Sequence, residues 1–340
     1  MTFAEDRELI LSNLSIGKEL LYLTKDDCEN IGITRDSILE LTRDALISHG
    51  KKEYEMPAKI GVHPLEEVFY HAMPAFVPSK KAVGMKWIEC YPNNPMKFNL
   101  PQTTGLLILN DILSGCPIAI MDSTWITAMR TPAVTALAAE AIHPHAKSFG
   151  MFGCGVQGIE HILFIVKTLK DLEVIYIYDI VEEAMDNLIE KVKDEVNVLI
   201  VKAKNPKEVV DNCECLSSAT IIIKDTLSIV KDEWIKPGQT ILPCDLNTFW
   251  DPKISHRADY YIVDSMDEHK LFNSMGYFPD GLPTIKGETG EILAGLKNIK
   301  ADDNSIIVCS NIGMAVCDVV VGREIFDQAI EKKIGIKLVL

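Results

Sequence analysis

Paired cysteines, runs of basic residues and long apolar runs are all missing from this chain, and each absence closes off a class of function. The nine cysteines stand at 28, 90, 116, 154, 213, 215, 244, 309 and 317, odd in number and scattered, with no CxxC pair. That usage fits reduced, mostly buried thiols in a cytosol rather than a disulfide framework. No basic run offsets the balance of 49 Asp and Glu against 34 Lys and Arg, a net charge of −15. Nucleic acids and anionic membranes are bound by clustered cations, so neither is an expected partner. The most apolar stretch, "GLLILNDILSGCPIAIM", is broken by Asn110, Asp111 and Ser114 too soon to span a bilayer. The opening "MTFAEDRELI" has acids where a signal peptide has basic residues and then an apolar stretch. Internal repeats, low-complexity segments and obvious linkers are also lacking. A soluble, cytoplasmic protein is expected.

What is present suits a globular protein of two domains or one large one: 340 residues, 47% hydrophobic and 24% charged. The first part carries a helical pattern over 35–50, ending at Gly50, and a weaker one over 25–31. Extended stretches follow near 67–71, 82–90 and 105–121, the last reading as two strands joined at "NDILSG". This part is expected to be α+β with antiparallel strands. From about 125 the pattern changes: "TWITAMRTPAVTALAAEAI" is rich in helix formers, with Thr127 or Thr131 available as a cap. From 147 short apolar strands alternate with helices, through "KSFGMFG", "VIYIYD", "VNVLIV", "ECLSSAT", "QTILPCD", "YYIVD" and "SIIVCSN". Such alternation predicts a doubly wound parallel sheet. An amphipathic helix, "MAVCDVVVGREIFDQAIEKK", closes the chain.

The turn out of "KSFGMFG" is a full GxGxxG, with Gly153, Gly155 and Gly158. By itself this pattern also fits ordinary tight turns, but here it follows an apolar strand and opens a helix, whose free N–H groups would face a phosphate. Asp179 ends the next strand about 20 residues after the last glycine, where a carboxylate accepts hydrogen bonds from a ribose. A loop-capping role is the alternative for Asp179. An acid there repels a 2′-phosphate, and no Arg follows within several residues, so the expected cofactor is NAD rather than NADP.

Taken in order, "GMKWIECYPNN", "GLLILND", "SGCPIAIMDSTWITAMRTPAVTALAA", "GCGVQG", "LPCD" and "NIGMAVCDVVVGREIF" resemble the ornithine cyclodeaminase/mu-crystallin family across nearly the whole chain. "MDSTWITAMRTPA" is the most specific piece, followed by the glycine loop with Gln157. The resemblance implies an α/β fold in which a Rossmann-type doubly wound parallel sheet is inserted into an α+β substrate-binding and dimerisation domain. Residues 1–125 with 313–340 would form the latter, and 126–312 the NAD-binding domain. It also implies a homodimer with active sites in the cleft between domains. The implied chemistry is hydride removal from Cα of an amino acid by NAD, giving an iminium that a side-chain amine or water attacks with loss of ammonia. Imine reduction is its reverse. Mu-crystallin shows that the same scaffold also serves as a cofactor-loaded binding protein, and an accessory subunit of an amine-oxidising system is a further alternative.

Residue by residue, the resemblance gives Lys86 and Arg130 to the substrate carboxylate, which a guanidinium suits by donating two parallel hydrogen bonds. The alternatives are a solvated strand-edge lysine and an arginine capping its own helix. Asp245 matches the family's catalytic aspartate, which exchanges protons with the amine or attacking water; the alternative is a cap in "DLNTFWDP". An enclosed carboxylate there is expected to have a raised pKa. Gly153, Gly155, Val156, Gln157, Asp179, Thr131, Gln102, Thr220 and Ser310 fall where the family lines its cofactor pocket. Lys59 stands at a second basic position that is usually Arg, beside Met73 of "HAMPAF" in the substrate pocket. His71 stands where ornithine cyclodeaminase has a Glu that meets an amine, which puts ornithine itself in doubt. Gln102 stands where many relatives have Thr. His143 and His145 have no third ligand nearby, so they are expected to be solvated and no metal is expected. Cys154, inside the glycine loop, is expected to do no chemistry.

Overall fold

Residues 2–340 are described by a computed structural model. In chain order the strands are β1 (Glu19–Leu23), β2 (Ile60–Val62), β3 (Phe69–Val77), β4 (Ala82–Cys90), β5 (Thr103–Asn110) and β6 (Pro117–Asp122). There follow β7 (Ser148–Phe152), β8 (Val174–Tyr178), β9 (Leu199–Lys202), β10 (Cys215–Ser218), β11 (Thr240–Pro243), β12 (Tyr260–Val263), β13 (Ile285–Glu288), β14 (Ile307–Ser310) and β15 (Ile336–Val339). The chain divides into two units, Met1–Arg130 with Met314–Leu340, and Thr131–Gly313.

In the first unit a seven-stranded sheet runs in the order β15-β1-β6-β5-β4-β3-β2. β5 and β6 form the hairpin expected at "NDILSG". The sheet is mixed rather than wholly antiparallel, because β1 pairs parallel with β6. Period-two burial fixes the register of β4: Ala82, Gly84, Lys86, Ile88 and Cys90 are buried, whereas the alternate residues are less so. The helix Ala315–Lys332 packs on β3, β4 and β5 and on the helix Arg35–Gly50. Its approach is close at Gly322, where a Cβ would fall 2.0 Å from Leu107 Cδ2. Any larger residue there requires the Leu107 side chain to move aside.

The helix Thr124–Ile142 begins ahead of both threonines. Asp122 supplies the cap: its Oδ1 accepts from the backbone N–H of Thr124 (2.9 Å) and Trp125 (3.2 Å), leaving Thr127 and Thr131 inside the helix.

The second unit holds an eight-stranded sheet in the order β13-β12-β14-β11-β10-β7-β8-β9, and every pairing in it is parallel. β7, β10, β11 and β14 are buried at every residue, which is why they read as continuous apolar runs rather than alternating ones. Phe149 and Phe152 of β7 are fully buried, each side chain contributing about 1.5–3 kcal/mol. From β7 the chain first builds outward to β8 and β9, then returns to add β10 on the other side. The gap between β7 and β10 is thus a topological switch point, where ligands bind at the carboxyl ends of the strands.

Candidate functional site

At that switch point, β7 ends in the glycine loop. Gly153 has φ +91°, a left-handed conformation, and a Cβ there would stand 2.7 Å from the Ala219 carbonyl oxygen at the end of β10. At Gly158 a Cβ would fall 2.0 Å from the Gly153 carbonyl oxygen, so only glycine lets the helix Val156–Thr168 sit against its own loop. At Gly155 it would meet nothing within 4 Å. Gly155 caps the helix without a side-chain hydrogen bond, and Val156 beside it is exposed. Open space at a helix N-terminus fits a dinucleotide pyrophosphate.

Asp179, one residue beyond β8, ties the loop down. Its Oδ2 accepts from Cys154 N (2.8 Å) and its Oδ1 from Val181 N (3.0 Å). It therefore orders the loop. Cys154 is buried, and burial pushes its thiol up to about 12, which keeps it inert.

Thr220, Asp245 and Ser310 lie at the carboxyl ends of β10, β11 and β14, which neighbour one another in the sheet. Asp245 is buried and both its oxygens are engaged. Oδ1 accepts from Ser218 Oγ (2.6 Å), and Oδ2 from Thr220 Oγ1 (2.5 Å) and Thr220 N (3.1 Å). Burial raises its pKa above the usual carboxylate range, and the hydrogen bonds from Ser218 and Thr220 only partly oppose that. Behind Ser218, Trp250 donates its indole N–H to the serine oxygen (2.7 Å). On the glycine-loop side, His161 Nδ1 hydrogen-bonds the Gln157 carbonyl (2.7 Å). Its Nε2 meets Thr135 Oγ1 (3.1 Å) and Cys244 Sγ (3.3 Å). The glycine loop and the end of β11 are thus joined through one buried imidazole, which burial holds at a pKa of about 4 and hence neutral. Thr131 is half-buried in this unit.

In the first unit, the strand register brings the expected substrate residues together. Met73 pairs with Lys86, His71 with Ile88, and Lys59 immediately precedes β2 alongside them. Lys86 is fully buried, so it is not a solvated edge residue. Its Nζ donates to Asp318 Oδ1 (2.7 Å) and Thr127 Oγ1 (3.3 Å). Arg130 Nε donates to the same Asp318 oxygen (2.9 Å). Two cations therefore share one carboxylate oxygen, while Asp318 Oδ2 is buried without a hydrogen-bond partner.

Burial, and then the Arg130 charge, pull the Lys86 ammonium down to about 7 against the opposing pull of Asp318. Burial alone would raise the Asp318 carboxyl, but Arg130 and Lys86 outweigh it and hold it below the usual range. His71 is brought down to about 3 by burial, then by Lys59, His63 and Lys86, so it stands neutral, stacked on Phe69 at 4.1 Å. Gln102 belongs to this unit, its amide donating to Cys90 Sγ (3.7 Å).

Asp318, Ser218, Trp250 and His161 were not singled out from the sequence. Asp318 left one trace: an acid flanked by Cys317 and Val319 on a helix otherwise buried through that stretch. The two histidines expected to be solvated differ. His145 is exposed and faces Asp171 (2.7 Å), whereas His143 is half-buried against Thr240 Oγ1 (3.1 Å), because the parallel sheet packs over it. Among the described residues, no group of three or more His, Cys, Asp or Glu side chains is arranged to hold a metal ion. No helix among them is long and apolar enough to cross a membrane.

The sequence model of the ornithine cyclodeaminase/mu-crystallin family matches residues 28–333, which carry all of these groups. The chain belongs to that family. Among curated relatives it is similar to the nodulation efficiency protein NfeD of Rhizobium meliloti, 28% identical over 92% of this chain and 97% of that one. It is also similar to the alanine dehydrogenase of Archaeoglobus fulgidus, 28% identical over 94% and 98% of the two chains. Among solved structures, an archaeal alanine dehydrogenase dimer with bound NAD superposes with a TM-score of 0.82 at 26% identity, covering 94% of this chain and 99% of that one.

Proposed function

We propose that this family member is an NAD-dependent enzyme acting at the Cα–N bond of an amino acid or cyclic imine. The observation that carries the reading is the convergence of Lys86 and Arg130 on a single oxygen of Asp318 in a buried site, with Lys59 close by. Two cations balanced by one carboxylate leave positive charge for an α-carboxylate, which a bidentate guanidinium and an ammonium hold well. Lys86, poised near neutrality, takes up its full charge when that carboxylate arrives.

In the other unit, the glycine loop and Asp179 hold the dinucleotide by its pyrophosphate and adenosine ribose, with Gln157, Thr131, Thr220 and Ser310 lining the pocket. NAD bound there supplies the hydride acceptor, and NADH the donor, for the substrate's Cα. Asp245 serves as the proton store for the amine or the attacking water, and its raised pKa makes it a better proton acceptor than an ordinary carboxylate. His71, neutral where a carboxylate would hold a basic side chain, favours substrates whose side chain carries no amine.

The enzyme is a cytoplasmic homodimer in this reading. All nine cysteines are free, as a reducing compartment keeps them. On the sheet face opposite the helix Ala315–Lys332, Trp87, Leu106, Ile336 and Leu338 are exposed, an apolar strip suited to a second copy. The related alanine dehydrogenase is itself a dimer.

Asp245→Asn tests the reading, since it keeps the shape and removes the proton store. Turnover on an identified substrate should fall by about 10²–10⁴-fold with NADH affinity unchanged. Near-normal turnover would remove Asp245 from the chemistry.

A further inference from the structure

Asp245 poses a difficulty for any proton transfer: it is fully buried, and both of its oxygens already hold hydrogen bonds from its own unit. A proton must reach it through one of those partners. The donors differ in a way the chemistry of each group decides. An indole N–H only donates, so Trp250 Nε1 must give its hydrogen to Ser218 Oγ, at 2.7 Å. The serine's single hydrogen is then committed to Asp245 Oδ1, at 2.6 Å. Ser218 and Trp250 are themselves buried, so that side of the carboxylate is closed.

Oδ2 is different. Thr220 approaches it with a backbone N–H, which is fixed, and with a hydroxyl at 2.5 Å, which rotates. The same hydroxyl has a second acceptor, the Ile221 carbonyl, at 3.5 Å, and Thr220 is only half-buried. Among the described residues hydrogen-bonded to Asp245, it is the one polar side chain that is not buried.

We propose that the Thr220 hydroxyl is the proton relay between Asp245 and the reacting nitrogen or water, while Ser218, fixed by Trp250, is the positioning residue for the other oxygen. This rests on the reading of Asp245 given above and deepens it. In the direction that protonates Asp245, the substrate ammonium or attacking water places a proton on Thr220 Oγ1. The threonine's own hydrogen passes to Asp245 Oδ2. One N–H or O–H bond breaks at the substrate, one O–H bond breaks and another forms at Thr220, and one forms at Asp245. The carboxylate becomes neutral as the donor loses one positive charge. Reversal returns the proton, with the hydroxyl turned outward.

The test compares Thr220→Val with Thr220→Ser in the full-length protein, under single-turnover conditions with NADH or NAD+ and a substrate that the wild type turns over. Valine keeps the volume and the backbone N–H but cannot pass a proton. The rate should drop by about 10²-fold or more, within the range of lost acid–base groups, and serine should restore it to within a few-fold. NADH titration checks that the pocket is intact. A readout independent of turnover is the Asp245 carboxyl itself, followed by infrared difference titration of the apo-protein. Losing a hydrogen bond to the charged form should raise its pKa in the valine variant and not in the serine one.

Valine turning over like wild type while Asp245→Asn is inactive would overturn the relay and leave the proposed function standing. Serine as impaired as valine would also overturn it. Asp245→Asn itself near normal would overturn both. If valine disturbs the pocket, the wild-type proton inventory decides: two protons in flight give a curved dependence of rate on deuterium fraction, and a linear dependence contradicts the relay.

Discussion

Replacing Asp318 by Asn probes the buried charge cluster with little change of shape. The amide oxygen can still accept from Lys86 and Arg130, but the negative charge that both share at 2.7 and 2.9 Å is gone. All three side chains are buried, so two cations are left in a poorly solvating site. Removing one partner from such a pair costs about 3–5 kcal/mol. Part of that cost is avoidable, because Lys86 can shed its proton and Arg130 cannot.

Its folded pKa is already depressed to about 7 from an ordinary 10.5, and without Asp318, which raises it, the value falls further. The unfolded chain keeps the proton throughout that range. Wild type gains stability from this residue only as pH rises above about 7, whereas the variant begins to gain at a lower pH. The difference between the two should therefore be largest near pH 5, shrink as pH rises towards 7, and stay level beyond. Urea unfolding of both proteins at half-unit pH steps measures it. A difference below about 1 kcal/mol at pH 5, or one that widens between pH 5 and 7, would refute the reasoning.

Wild type should bind NADH at least about tenfold tighter than NADPH, or ~1.4 kcal/mol. Asp179→Ser should narrow that gap and, by removing acceptors for Cys154 N and Val181 N, loosen both complexes; titration of the apo-protein reads it directly. His71→Glu places a carboxylate beside Lys59 and Lys86, so it should raise the pKa of Lys86 and shift selectivity towards diamino acids. An unchanged ratio of kcat/KM for ornithine over alanine would count against His71 as a selectivity residue. Light scattering at micromolar concentration should give twice the 37.9 kDa chain mass; a stable monomer contradicts the apolar sheet face as a dimer contact.

The parallel sheet was legible because its central strands are buried on both faces and so spell uninterrupted apolar runs between helices. The hairpin of β5 and β6 was legible from its turn. β1 and β15 left no such signal. They pair with each other across more than 300 residues of chain, and β15 is exposed throughout, so neither burial nor a local turn marks it. β1 also pairs parallel with β6, and that pairing decides that the first sheet is mixed.

The same distance hides Asp318, whose partners lie 188 and 232 residues away. An acid in an apolar helix becomes interpretable only once the strand register sets Lys86 beneath it. Ser218 and Trp250 were obscure for another reason. Each is an ordinary residue for its element, and only the direction of the hydrogen bonds between them gives either a role. His143 was read as solvated because it lies in a connection, whereas it is half-buried against Thr240, on a strand nearly a hundred residues later.

The central claim is that this chain uses NAD(H) to make or break a Cα–N bond. The direct measurement is a screen of amino acids with NAD+ and of 2-oxo acids with ammonia and cyclic imines with NADH, following both nicotinamide absorbance and product mass. Wild type should turn over at least one carboxylate-bearing substrate in this set, with a product mass that accounts for the nitrogen gained or lost, and Asp245→Asn should not. Tight NADH binding with no turnover of any member by wild type would contradict the account, and would place the chain with the cofactor-loaded binding proteins of its family.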